Sequence, residues 1–338
     1  MNTLKRRGRQ VLFAIGGVAT NQSILNRTGP IFYVVALTGI FGWGITTAIP
    51  YVYSELDINI TRFFQGVGCF LALELMMNWL CILFVDSSFR PPDHLENGPF
   101  HTAYYSGANQ DTSQKLIEHH HVHNENQSES VTISPKNGLM QKAPLYFRWT
   151  FCEPCGIHTP PRAHHCPLCQ TCILKRDHHC FVAASCVGFR NLRHFCVFLF
   201  YAVLATIFAM IHALPYAYFE VIPYLPSYLD MIYPITLVRG LLGYLSLLHF
   251  CLIFLGWMLL IYLCVSIASL IKLYKLVLSG LTKYEYENNI KIVDTKDTTG
   301  KLEAVFGKIW WLNFLFPLHR VFEPIDDPLY WQSMEFCG

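Results

Sequence analysis

The sequence predicts an all-α polytopic membrane protein: four transmembrane helices, with a small cysteine-rich domain between the second and the third. Three observations predict it. The 338 residues are 53% hydrophobic and only 14% charged, where soluble domains carry about 25% charged residues. Four apolar stretches, 31–53, 63–85, 194–219 and 240–271, each reach the roughly 20 helical residues that cross a bilayer. Seven of the thirteen cysteines fall between Cys152 and Cys186, inside the polar stretch that separates the second span from the third.

In chain order, residues 1–30 form a basic tail with Lys5, Arg6, Arg7, Arg9 and Arg27. Their apolar run 11–19 has a weak likeness to a signal peptide, whose removal would invert the topology. The charge distribution opposes that reading. Of the 25 Lys and Arg, 23 lie in 1–30, 86–193 and after 271, so both termini and the middle loop belong on the cytosolic side. The helices of 31–85 lead into 86–147, a variable polar linker rich in Ser, Asn, Gln and His. The cysteine-rich domain occupies 148–193, the third and fourth helices 194–271, and a cytosolic C-terminal region 272–338. The fourth stretch exceeds one crossing, so its end should project toward Lys272 and Lys275. The patch Trp310 to Pro317 is too short to span and reads as interfacial.

Polar residues within the spans are few. Glu74 and Asn78 share a helix face at i, i+4 and read as a hydrogen-bonded pair joining helices. His212 and His249 read as satisfied core or interfacial side chains. The run His119, His120, His121, His123 reads as a solvated tract. Cys69, Cys81, Cys196, Cys251, Cys264 and Cys337 read as buried structural thiols. So few polar positions argue against a channel or transporter, and the near-neutral net charge of +2 gives no sign of a nucleic-acid partner.

The cluster itself carries C-x2-C steps at Cys152/Cys155, Cys166/Cys169 and Cys169/Cys172, the spacing with which two thiolates close on one tetrahedral zinc. Six cysteines and two histidines would fill two Cys3His sites and leave one cysteine over. Cys180 is that residue by its setting. It follows Asp177, His178 and His179, two histidines and a carboxylate that offer a base and its orienting partner to a thiol, and the cations Lys175 and Arg176 would also favour thiolate. The third span starts fourteen residues later, so the thiol is tethered at the membrane surface, where a lipid chain can reach it. A purely structural zinc domain is the competing reading.

Cys152, Cys155, Pro160-Pro161-Arg162-Ala163-His164-His165-Cys166, Cys169, Cys172, Asp177-His178-His179-Cys180 and Cys186-Val187-Gly188-Phe189 with Asn191 together form a pattern that resembles the DHHC family of protein S-acyltransferases (palmitoyltransferases). The resemblance implies one zinc on Cys152, Cys155, His165 and Cys172, and a second on Cys166, Cys169, His179 and Cys186. It implies Cys180 as nucleophile, His178 as general base, Asp177 as its orienting partner, and Phe195 and Phe198 beside the acyl chain. Departures are confined. Where the family has Pro-Trp and then Asn-Asn before the last cysteine, this chain has Phe181-Val182-Ala183-Ala184-Ser185, losing a tryptophan beside the acyl chain and hydrogen bonds beside the second zinc. Asp86-Ser87-Ser88 stands for Asp-Pro-Gly, and Thr282-Lys283-Tyr284-Glu285 for Thr-Thr-x-Glu.

The expectation is therefore a palmitoyl-CoA-dependent protein-cysteine S-palmitoyltransferase. It would be a Golgi or endoplasmic-reticulum membrane protein, though the plasma membrane is not excluded, with two structural Zn2+ ions. Long-chain acyl-CoA would acylate Cys180, which passes the chain to cysteines of membrane-associated proteins. Arg162, Lys175, Arg190 and Arg193 are the basic residues near which CoA would lie. A catalytically weak or inactive zinc-domain scaffold is the alternative, kept open by the changed 181–185 segment.

Overall fold

The computed structural model describes residues 17–91, 149–315, 324–329, 331 and 333–336. The histidine run 119–123, Cys337 and most of the tail 1–30 and linker 86–147 fall outside them. Four helical stretches are long and apolar enough to cross a membrane. The first is α1 (Gly17–Trp43), continued through a π-helical turn at Gly44–Ala48 into α2 (Ile49–Val52). The others are α3 (Ile58–Phe84), α4 (Leu192–Glu220) and α6 (Leu247–Ser279).

The helix ends differ from the expected spans for local reasons. Asp57 caps α3 by accepting from the Asn59 N–H at 2.8 Å, so that helix starts before residue 63. The fourth span starts at Leu247 rather than residue 240, because Gly243 turns the chain at φ 77° and Ser246 caps the new helix. Residues 233–241 form a separate short helix, α5 (Tyr233–Leu241). It folds over Asp230, which is fully buried and ion-paired to Arg239 at 2.9 Å. The expected projection past residue 271 is present, and α6 ends at Ser279 with Gly280 in the left-handed conformation at φ 73°. A side chain at Gly280 would also strike Asp294. At the other end of the chain, α1 runs back to Gly17, well before residue 31.

Helix α4 is the hub, packing on α3 and α6. Its Val197, Phe198, Tyr201, Ala202 and Ala205 join Leu71, Leu75, Trp79 and Ile82 of α3 and Tyr33 and Leu37 of α1 in one core. Leu273 and Val277 of α6 and Val305 and Phe306 of α8 (Thr298–Phe306) extend it. Ala183 and Val187 of the cysteine-rich domain belong to the same cluster. The small domain is thus continuous with the bundle rather than hung from it.

That domain is β-structure. Three antiparallel hairpins follow one another: β1 (Thr150–Cys152) with β2 (Ile157–Thr159), β3 (His164–Cys166) with β4 (Thr171–Ile173), and β5 (His178–Cys180) with β6 (Ser185–Val187). Each begins fourteen residues after the last. At the matching turn position Gly156, Gln170 and Ala184 have φ of 69°, 56° and 49°. They are three copies of one unit. Further on, α7 (Lys283–Glu287) docks against the hairpins, and β7 (Ile292–Asp294) pairs with β8 (Met334–Phe336).

Three expectations are corrected here. Cys69, Cys251 and Cys264 are exposed, whereas Cys196 is buried and Cys81 half-buried. Glu74 and Asn78 are buried and bonded, but within α3. The Asn78 amide donates to the Glu74 carboxylate at 3.2 Å and the Glu74 carbonyl at 2.9 Å, with no bond to another helix among the described residues. Of the four cations placed near CoA, Arg162, Lys175 and Arg193 are buried and only Arg190 is exposed. Their partners lie inside the fold. His212 meets its expectation, hydrogen-bonding the Phe208 carbonyl at 2.8 Å and Tyr53 at 3.3 Å.

Candidate functional site

The repeat explains how two clusters able to hold a metal and one cysteine outside them arise from a single motif. Successive strand residues point to opposite faces, and directly paired residues across a hairpin share a face. In the second hairpin His165 pairs with Cys172, and in the third His179 pairs with Cys186. Each pair meets the C-x2-C turn of the preceding hairpin. Cys152 and Cys155 of the first join His165 and Cys172, and Cys166 and Cys169 of the second join His179 and Cys186. Both sets match the expected ligands.

The geometry fits zinc. Bonds of about 2.3 Å to sulfur and about 2.05 Å to nitrogen at tetrahedral angles require S···S edges of about 3.8 Å and S···N edges of about 3.5 Å. Cys155 and Cys172 sulfurs are 3.7 Å apart, and Cys169 and Cys186 sulfurs 3.6 Å. His165 Nδ1 lies 3.2 Å from Cys155, and His179 Nδ1 lies 3.3 to 3.6 Å from Cys169, Cys166 and Cys186. Four protein donors per site leave no open position, which is the structural rather than the catalytic arrangement.

The array runs out at the third hairpin. Cys180 stands where Cys152 and Cys166 begin their turns, but Ala183 replaces the second cysteine and no fourth hairpin follows to supply a His and a Cys. Ala183 is instead wholly buried in the hydrophobic core shared with the helix bundle. Cys180 is therefore a metal-type cysteine with no site to join. Strand alternation puts His179 on the metal face of β5, while His178 shares the opposite face with Cys180.

On that face a chain of contacts forms. Asp177 Oδ2 and His178 Nδ1 are 2.7 Å apart. Burial would lower the His178 pKa, but its hydrogen bonds to Asp177 and to Cys180, with the charges of both, raise it to about 9. The imidazole is thus cationic at neutral pH between two partners that favour the cation. The Phe195 ring lies 4.8 Å from it, edge-on. Phe198 sits deeper in the core, 5.7 Å from Tyr33.

Asp177 is fixed by a second bond that sequence reading did not find, from the Lys283 N–H to Oδ1 at 2.6 Å. Lys283 is the first residue of α7, whose capping box joins Thr282 and Glu285. Arg162 binds both Glu285 oxygens, at 2.6 and 2.7 Å, and the Gly280 carbonyl at 2.8 Å. Trp331 covers the guanidinium at 4.4 Å. Asn191, fully buried, bonds to Ser87, Gly188 and the carbonyls of Ile82, Val85 and Cys186, welding α3, the third hairpin and α4 together. The Thr282–Glu285 motif was legible as a family likeness. Its link to Asp177, made by backbone, left no side-chain signal to read.

A small apolar pocket, with a cavity volume of only about 20 Å³, lies between α1, its π-helical turn, α4 and α6, lined among others by Phe41, Trp43, Ile45, Phe208, His212 and Leu259. Phe208 is thirteen residues along α4 from Phe195, about 20 Å at the helical rise. The cavity lies at the far end of the bundle from Cys180.

A family model described as DHHC palmitoyltransferase matches residues 146–290. The chain is similar to the palmitoyltransferase ZDHHC20 of Homo sapiens, 47% identical over 66 residues, covering 20% of this chain and 18% of that protein. It is also similar to the probable protein S-acyltransferase 12 of Arabidopsis thaliana, 42% identical over 65 residues, covering 19% and 22%. A longer match, 28% identical over 211 residues, covers 60% of this chain and 33% of the palmitoyltransferase PFA3 of Gibberella zeae. The matched part spans about a fifth of the length of the first two relatives.

Proposed function

We propose that the chain, whose residues 146–290 match the DHHC palmitoyltransferase family model and which is similar to palmitoyltransferases over part of its length, is a protein-cysteine S-acyltransferase that uses a long-chain acyl-CoA. The observation that carries this reading is the Asp177–His178–Cys180 chain of contacts, in which His178 and Cys180 share one face of β5 and the metal ligands are turned to the other. Cys152, Cys155, His165 and Cys172 would hold one zinc ion and Cys166, Cys169, His179 and Cys186 a second, which would supply rigidity to hairpins that have little core of their own.

In the first step the Cys180 thiolate attacks the thioester carbonyl carbon of acyl-CoA. The carbon–sulfur bond to CoA breaks, and the departing thiolate takes the proton held on His178. In the second step a substrate cysteine gives its proton to His178 and attacks the acyl-Cys180 carbonyl, returning Cys180 as thiolate beside the imidazolium. Asp177 keeps Nδ1 protonated and the ring aimed. Phe195 and Phe198 would flank the acyl chain, with the bundle around it in place of water. Exposed Arg190 is the remaining candidate for CoA among the four cations. The charge distribution supports a cytosolic hairpin domain, and a Golgi or endoplasmic-reticulum membrane is the compartment we favour.

The reading favours acyl transfer over a non-catalytic scaffold because the departures at 181–185 leave nucleophile, base and carboxylate in one line. Covalent catalysis in two steps gives a burst. Mixed with excess palmitoyl-CoA, the purified protein should release one CoA per chain rapidly and then turn over slowly. Release at the rate of a Cys180→Ser variant would contradict the proposal.

A further inference from the structure

The third hairpin is held by the bundle at every residue around the nucleophile. His179 Nε2 lies 2.7 Å from Asn26 Oδ1 on α1, 153 residues away in sequence. One helical turn on, Gly29 lies against the Phe181 carbonyl so closely that a Cβ there would overlap the oxygen. Trp79 of α3 donates its indole N–H to the Val182 carbonyl at 3.0 Å and stacks on Tyr33 of α1 at 5.2 Å. Residues 179, 181 and 182 are thus each fixed by a membrane helix, and Cys180 lies between them.

The Asn26 contact has a direction set by the metal site. With Nδ1 turned to the Cys166, Cys169, Cys186 cluster, a neutral imidazole that ligates through Nδ1 carries its one proton on Nε2. The N–H therefore donates to Asn26 Oδ1. Such outer partners fix the ring's tautomer and orientation and raise its basicity as a ligand. Among the described residues His165, the equivalent ligand of the other site, has no such partner. The two sites are alike in donors and unlike in support.

Pro30 lies four residues beyond Asn26 and lacks the N–H that would bind the Asn26 carbonyl, so α1 is loosened at the level of this contact. A contact from side chain to imidazole restores a tie there.

We infer that Asn26 is a positioning residue. It orients His179 on the second metal and, with Gly29, registers α1 against the hairpin that presents Cys180. The inference rests on the metal reading proposed above. It assigns a role in the site to the N-terminal helix, which the cysteine-rich domain alone does not contain.

The test uses the full chain in detergent. Zinc is counted per chain before and during a chelator challenge for the native protein, Asn26→Leu and Asn26→Asp, and the same three proteins are loaded with Co2+ for their visible spectra. Leucine keeps the size without the acceptor, whereas aspartate keeps the acceptor. The native protein should hold two zinc ions. Asn26→Leu should release one of its two at least about 10-fold faster, with the second release unchanged and an altered cobalt ligand-field band. Asn26→Asp should restore retention to near the native rate. Equal loss in both variants would make the effect one of packing and overturn the inference, as would an unchanged Asn26→Leu. Native protein with one zinc or none would instead overturn the metal reading beneath it.

Discussion

Arg162 and Glu285, 123 residues apart in the chain, form a two-point ion pair at 2.6 and 2.7 Å with both side chains 1% exposed. The pair fastens α7 to the hairpins, and through the Lys283 N–H it determines where Asp177 stands. The carboxylate in contact with His178 is therefore positioned by a residue beyond the last membrane-spanning-length helix.

Removing one partner of such a pair strands a buried charge. Glu285→Ala should destabilise the protein by about 3–5 kcal/mol, whereas the double replacement Arg162→Met with Glu285→Leu should cost less than the single one. Thermal or denaturant unfolding of the three proteins in one detergent checks this. A double variant as unstable as Glu285→Ala would mean that the pair has a stabilising value beyond avoiding an unpaired ion.

The raised His178 pKa gives a pH dependence with a definite sign. A group held at about 9 in the fold, against an ordinary value near 6.5, contributes stability that is full below pH 6.5 and lost as pH rises through about 9. The difference in unfolding free energy between the native protein and His178→Gln should therefore shrink from pH 7 to pH 10, by at most about 3 kcal/mol. A difference that is constant or grows would show that Asp177 does not favour the cation.

The repeat makes Ala183 informative. Ala183→Cys would complete a C-x2-C turn with Cys180 at the place where the first two hairpins have theirs. Micromolar Zn2+ should then inhibit acylation of the variant and a chelator should relieve it, with the native protein unaffected. The substitution adds a sulfur at a fully buried position, and an overpacking cost of about 1–3 kcal/mol is expected. A variant that acylates normally in zinc would break the equivalence of the three turns.

How much of this the sequence disclosed depends on the distance between the partners. The four spans were visible because hydropathy is local, and the ligand set because C-x2-C pairs stand out against an apolar chain. The fourteen-residue period from His164 to His178 is also a local signal, and it marks the repeated hairpin that the C-x2-C spacing alone does not specify. Asn26 with His179 and Arg162 with Glu285 have no local pattern, since each pairing exists only once the bundle is packed. Arg162, Lys175 and Arg193 illustrate the same limit. A cation in a polar stretch reads as solvated, and only the fold supplies the carboxylate and the Trp331 ring that take two of them inside. The onset of α6 failed more simply, because Gly243 and Ser246 were local signals passed over within a long apolar run.

The central claim is that Cys180 is free of metal, activated by His178, and receives the acyl chain. Its most direct measurement is incubation of the purified full chain with labelled palmitoyl-CoA, followed by hydroxylamine treatment and peptide mapping by mass spectrometry. The account predicts a hydroxylamine-sensitive acyl group on the peptide containing Cys180, absent from Cys180→Ser and strongly slowed in His178→Ala. Label on Cys180→Ser equal to that on the native protein, or no label on the native protein, would contradict it.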